Sequence, residues 1–183
     1  MLKKVGIFII VVFAMIVLFG KNDGVADVKE GTKIKIFNVI KGEYEEVSTI
    51  VNDKDELRET LTKEQFHITQ EEGTEAPFSG ALLKNNETGV YQCVVCKTDI
   101  FSSDAKFDSQ TGWPSFWEPV AKENVGTRED NSLFSRRIEV HCPKCGSHLG
   151  HVFDDGPAPT GKRFCINSAA LTFEATEKND ETQ

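Results

Sequence analysis

The sequence predicts a mainly β domain with short N-terminal helices and a structural zinc site made of four cysteines. Three observations predict it. From Gly73 onward, short apolar runs are broken by Gly, Pro, Asn and Asp, the texture of many short antiparallel strands. Ahead of Gly73, Thr62 with Gln65 three residues later is the capping-box pattern that opens a helix. Four of the five cysteines fall into two Cys-x-x-Cys pairs, Cys93 with Cys96 and Cys142 with Cys145.

The elements follow in order. Lys3 and Lys4 precede an almost wholly apolar run from Val5 to Phe19. Residues 1–26 therefore read as an export signal or an N-terminal membrane anchor, with a weak cleavage site at Gly24-Val25-Ala26. The run is short beside the ~20 residues of a usual span. Its leading positive charge favours an outside C-terminus. The expectation is an extracytoplasmic domain (periplasmic, secreted or anchored) that meets membrane only through this segment. Residues 27–56 form a linker and a short extension. Within it, Lys33 to Phe37 alternates as a half-buried strand, Lys41-Gly42 is a turn, and Tyr44 to Val51 is the returning strand. Asn52 or Asp53 caps a short helix carrying Leu57 and Leu61, and the helix after Thr62 turns Phe66 inward. Gly89 to Gln92 leads as a strand into the first cysteine pair, and Arg136 to His141 into the second. Phe164 to Phe173 reads as one further strand, with Cys165 on one face. Residues 175–183 are a charged, frayed tail.

Two Cys-x-x-Cys pairs on distant segments let four thiolates surround one zinc ion. Pro143 and Gly146 suit Cys142-Pro143-Lys144-Cys145-Gly146 to a tight knuckle. Four thiolates leave no open position for substrate, so the site reads as structural. Two disulfides are the rival reading for an exported chain, and a redox Cys-x-x-Cys is a third that leaves the second copy unexplained. A zinc ribbon often signals nucleic-acid binding, but the formal charge of -8 and the lack of a basic patch near either pair argue against nucleic acid as a partner.

If metal takes four thiols, Cys165 is the one left. It lies two residues from Arg163, whose charge favours a thiolate, and downstream of His148 and His151. The plain reading of the two histidines is a pair with satisfied hydrogen bonds in a Gly-containing turn, and that of Arg163 is a surface ion pair.

Several longer motifs then agree in order and spacing: Gly73-Thr74-Glu75-Ala76-Pro77-Phe78-Ser79-Gly80, Gly112-Trp113-Pro114-Ser115-Phe116, His148-Leu149-Gly150-His151-Val152-Phe153, Asp155-Gly156-Pro157 and Arg163-Phe164-Cys165-Ile166-Asn167-Ser168. Over residues 57–174 the chain resembles the B-type peptide-methionine sulfoxide reductases, which act on the R epimer. The resemblance implies a β-tent of two antiparallel sheets, with one structural zinc distant from the reacting thiol. It implies that Cys165 attacks the sulfoxide sulfur and becomes a sulfenic acid. It also implies that His151 protonates the departing oxygen, that His148 orients it or a water, and that Asn167 hydrogen-bonds near the reacting centre. Trp113 would hold the S-methyl group, with Phe153 and Phe116 beside it, although core packing explains Phe116 equally well.

One departure matters. Many members carry a second, resolving cysteine just before Gly-Trp-Pro-Ser-Phe, where this chain has Thr111. The expected reductant is therefore an external thiol, from a thioredoxin-like protein or a small molecule. The expected substrates are oxidised proteins or peptides carrying methionine-R-sulfoxide. The competing class is a non-catalytic binding module on the same scaffold, which would have no need of Cys165.

Overall fold

The alternating run at Lys33 becomes β1 (Lys33–Asn38), paired antiparallel with β2 (Glu43–Ser48). Gly42 closes the hairpin with φ +67°, a backbone angle glycine takes without a Cβ penalty. The computed structural model describes residues 31–131 and 136–176. The proposed signal or anchor and most of the tail lie outside those residues. Among the described residues no helix is long and apolar enough to cross a membrane.

Helix α1 (Lys54–Thr60) is capped by Asp53, whose carboxylate accepts from the Asp55 and Glu56 N–H groups. Helix α2 (Lys63–Glu71) starts with the full Thr62/Gln65 capping box and buries Phe66, Ile68 and Thr69. The strands follow as β3 (Gly89–Cys93), β4 (Asp99–Ser102), β5 (Lys106–Phe107), β6 (Ser115–Phe116), β7 (Gly126–Asp130), β8 (Arg137–His141), β9 (His148–Phe153), β10 (Arg163–Ile166) and β11 (Leu171–Ala175). Ala175, expected in the tail, ends the last of them.

Two sheets carry the domain. One has six strands in the order β5-β6-β10-β9-β8-β7, the other three in the order β11-β3-β4, and all recorded pairings are antiparallel. Aromatic rings lock them together. Phe116 of the large sheet stacks on Phe101 of the small one at 4.3 Å, and Tyr91 meets Phe116 edge-on at 5.0 Å. Ile100, Val140, Leu149 and Ile166 complete the core around them.

The hairpin extension is attached through polar groups. Asn124, fully buried, donates to the carbonyls of Phe37 and Asp99 and accepts the Phe37 N–H. Ile50 N donates to Lys144 O and Asn52 Nδ2 to Cys145 O, both at 2.7 Å. That turn toward the second cysteine knuckle ends β2 at Ser48, short of the expected Val51.

The expected strand Phe164–Phe173 is two strands in different sheets. After Ile166 the chain leaves β10, makes a 3-10 turn over Ser168–Ala170 and enters β11. The physical reason is the hydrogen bonding at the break. The Ser168 and Ala169 N–H groups go to the Glu75 carboxylate, and Asn167 N goes to Leu149 O, so the sheet ladder cannot continue.

Candidate active site

Register places the site. Phe107, Ser115, Cys165, His151, Glu139 and Arg128 are successive Cα partners across β5, β6, β10, β9, β8 and β7. Directly opposed residues of antiparallel strands project to one face, with Cβ atoms ~5 Å apart. Within β10, Phe164 and Ile166 face the core, while Arg163 and Cys165 share the other, half-buried face.

Strict alternation along β9 would put His148 and His151 on opposite faces. A register shift between Val140 and His141 in the β8–β9 pairing brings them together. Their rings meet edge-on, 5.4 Å between centroids. Gly150 lies between them, where any Cβ would collide with the Cys165 carbonyl.

Each histidine is held by a carboxylate. His148 Nδ1 lies 2.8 Å from Glu139 Oε1, both side chains almost wholly buried, and Arg128 binds the same carboxylate through Nε and Nη2. His151 Nε2 lies 2.8 Å from Asp130 Oδ2, which also takes Arg137 at 2.6 Å. A carboxylate only accepts, so the nitrogens facing Glu139 and Asp130 carry hydrogen. Burial holds His151 below the usual imidazole range. The Asp130 hydrogen bond opposes that, while the charges of Arg137 and His148 add to it.

Burial likewise pushes the Cys165 thiol up, and the Asp155 charge adds to this. Opposing it are the Thr111 hydroxyl, 4.0 Å from the sulfur, and the Arg163 guanidinium. Thr111 in turn meets Ser109 at 2.8 Å, and Ser109 meets Ser115 at 2.7 Å. Arg163 is fixed by two 2.9 Å bonds to Asp155 and lies 4.4 Å above the Phe153 ring. The salt bridge exists, and the same guanidinium also lowers the Cys165 pKa.

Cys93, Cys96, Cys142 and Cys145 converge from the turns that follow β3 and β8. Their sulfurs all lie within 4.8 Å of one another, with Cys93–Cys145 at 3.7 Å and Cys96–Cys142 at 3.4 Å. Four sulfurs ~2.3 Å from a tetrahedral zinc stand about 3.8 Å apart, so the donor set fits. All five cysteines are free thiols, which removes the disulfide reading. The first knuckle is the β3–β4 turn and the second the β8–β9 turn, so a zinc held here would clamp the small sheet to the large one.

A SelR domain model matches residues 61–175. The chain belongs to the SelR, or MsrB, family. It is 54% identical over 128 residues to the peptide methionine sulfoxide reductase MsrB of Methanosarcina barkeri, covering 70% of this chain and 90% of that protein. It is 47% identical over 131 residues to the mitochondrial methionine-R-sulfoxide reductase B3 of Mus musculus, covering 72% and 52%. Among solved structures, the Yippee-like domain of Mis18 superposes with a TM-score of 0.41 at 16% identity, over 50% of this chain and 99% of that one.

In this SelR domain the remaining expected residues take varied places. Trp113 is half-buried and donates from Nε1 to the Glu75 carbonyl at 3.1 Å. Its loop turns through Gly112 at φ +97°, where a Cβ would press on Pro77 and the Phe78 nitrogen. Phe78 stands 69% exposed beside it. Phe116 is fully buried in the aromatic stack, so its role is packing. Asn167 spends its amide on backbone, donating to Leu149 O at 3.0 Å and accepting Glu75 N at 3.1 Å.

Sequence reasoning assigned no role to Glu75, Glu139, Arg128 or Asp130. Glu75 is 5% exposed, and its carboxylate accepts the Ser168 and Ala169 N–H groups at 2.7 and 2.9 Å. Burial outweighs those bonds and pushes its carboxyl up. One signal was readable: Glu139 is an acid between Ile138 and Val140 in a strand bound for the core.

Proposed function

We propose that this protein reduces the R epimer of peptide-bound methionine sulfoxide to methionine, with Cys165 as nucleophile and His151 as proton carrier. The observation that carries it is the direct pairing of Cys165 with His151 across β10 and β9. Asp130 occupies His151 Nε2, so Nδ1 is the lone-pair nitrogen of the neutral ring.

Burial keeps Cys165 protonated and His151 neutral in the resting site, so the proton needed at the sulfoxide oxygen starts on the thiol and Arg163 offsets the cost of releasing it. Cys165 gives its proton to His151, and the thiolate attacks the sulfoxide sulfur. Arg163 stabilises the thiolate as it forms. His151 returns the proton to the sulfoxide oxygen as the methionine S–O bond breaks. The hydroxyl passes to the Cys165 sulfur as the transient bond between Cys165 and methionine sulfur breaks, which leaves a sulfenic acid and the free thioether. Thiol plus sulfoxide thus gives sulfenic acid plus thioether: methionine sulfur gains two electrons, Cys165 loses two, and the thiol proton ends on the new hydroxyl. Trp113 and Phe153 supply apolar surface for the S-methyl group, which selects one epimer because the epimers exchange oxygen and lone pair.

Thr111 beside Cys165 supports recycling by an external thiol from a thioredoxin-like protein or a small molecule. Two thiols return Cys165 and release a disulfide and water. Cys93, Cys96, Cys142 and Cys145 would hold a zinc ion whose contribution is structural, apart from the transfer. The lysine-led apolar run over Val5–Phe19 supports work outside the cytoplasm on oxidised proteins.

The test is turnover of each epimer of a methionine sulfoxide peptide by the full chain with dithiothreitol, beside Cys165→Ser. Reduction of the R epimer alone, lost in the variant, is expected. No reduction of either epimer by folded, zinc-loaded protein overturns the proposal in favour of a binding module.

A further inference from the structure

Glu139 is an acid almost wholly buried in the strand next to the reactive pair, and it belongs to neither. It stands opposite His151 in register, as Cys165 does from the other side. Its carboxylate is engaged three ways: Arg128 Nε on one oxygen, Arg128 Nη2 at 3.1 Å and His148 Nδ1 at 2.8 Å on the other. Arg128 is itself tied to Glu72 at 2.6 Å, so the cation that neutralises Glu139 is anchored to the end of α2.

Because the carboxylate can only accept, His148 faces it as Nδ1–H. In the neutral ring the lone pair then sits on Nε2. That nitrogen is buried and has no hydrogen-bond partner among the described residues. A buried acceptor without a partner is costly, and in a native fold such a group calls for an explanation, a catalytic role being one. His148 meets the His151 ring edge-on at 5.4 Å, which places this acceptor's ring beside the proton carrier.

We propose that Glu139, braced by Arg128, is a positioning residue that fixes His148 in the Nδ1–H tautomer, so that Nε2 accepts a hydrogen bond during sulfoxide reduction. The proposal rests on the reductase reading and deepens it. The hydrogen that such an acceptor suits is the one on the transferred oxygen, carried as S–OH once His151 has protonated it. His148 takes no proton in this role. A wrong tautomer would put N–H against that hydroxyl and orient it away.

The test combines nuclear magnetic resonance with kinetics on the zinc-loaded full chain. Histidine labelled with 15N reports which His148 nitrogen is protonated. In wild type, Nδ1 should carry hydrogen and Nε2 should show the shift of a bare nitrogen. Glu139→Gln puts an amide donor into a site built for acceptors and should erase that preference. R-sulfoxide turnover should fall about 10–100-fold in kcat with KM nearly unchanged. In a His148→Ala background the same change should cost less than about threefold, because Glu139 acts through that ring. Glu139→Asp keeps the charge for Arg128 but withdraws from His148. It should lose kcat similarly, and it decides the matter if the Gln variant does not fold.

A folded Glu139 variant that keeps more than half of wild-type kcat overturns the proposal. So does an Nε2–H tautomer in wild type, or an equal loss with and without His148. Failure of the reductase reading looks different, because wild type itself would then reduce no sulfoxide.

Discussion

Replacing Glu75 by alanine isolates one carboxylate that the fold depends on, because its other two contacts use the Glu75 backbone and survive the change. The Asn167 side chain binds the Glu75 N–H and the Trp113 indole binds its carbonyl. What alanine removes is the acceptor for the Ser168 and Ala169 N–H groups. Leaving a buried donor unsatisfied costs ~1–3 kcal/mol. Ala169 is only partly buried, and desolvation already offsets part of the gain at Glu75, so the lower half of that range applies. The variant should lose about 2–4 kcal/mol of stability, or about 6–15 °C in Tm for a domain of this size. Glu75→Gln, with one acceptor oxygen instead of two, should fall between. Thermal unfolding at pH 7, followed by circular dichroism with zinc content checked, measures it. Activity should fall with stability, since the turn that Glu75 holds begins three residues after Cys165. An alanine variant that melts within about 2 °C of wild type would refute the reasoning, because two N–H groups would have found other partners at no cost.

Four further outcomes are expected. Alkylation of Cys165 by iodoacetamide should titrate above the ordinary thiol range, because burial raises its pKa, and Arg163→Met should move the midpoint higher still by removing a charge that favours the thiolate; a midpoint at or below the ordinary value contradicts this. After one turnover without reductant, wild-type Cys165 should be trapped as sulfenic acid by a dione reagent, with no intramolecular disulfide seen by mass spectrometry. Thr111→Cys should form a disulfide to Cys165 under the same conditions, its side chain starting 4.0 Å from that sulfur. Cys145→Ser should release zinc, measured by metal analysis, and lower Tm and activity together although no knuckle residue touches the reacting centre, because the second knuckle is the turn that joins β8 to β9 and holds Glu139 and His148 in register.

Much of the fold was legible because its signals are local. The Thr62/Gln65 capping box, the alternation at Lys33–Phe37 and the strands entering each cysteine pair rest on residues within a few positions of one another, and all appear in the structure. The continuous strand from Phe164 to Phe173 failed for the opposite reason. The break at Asn167 is made by Glu75, more than ninety residues away, whose carboxylate removes two donors from the ladder. Likewise β2 ends early because Ile50 finds its partner on the distant cysteine knuckle.

By itself the sequence determined the chemistry available: four thiols in Cys-x-x-Cys pairs, one thiol left over, the His148 and His151 pair, and Thr111 just before the Gly112–Phe116 run. Residue identity sets what can be a ligand, a nucleophile or a proton carrier, and no packing changes that. Only the tertiary structure decided which groups meet. Strand register put Cys165 opposite His151, a register shift turned His148 to the same side, and burial set the direction of both titrations. Those are effects of long-range pairing and of water excluded from a face of the sheet. Neither is encoded at any single position of the chain.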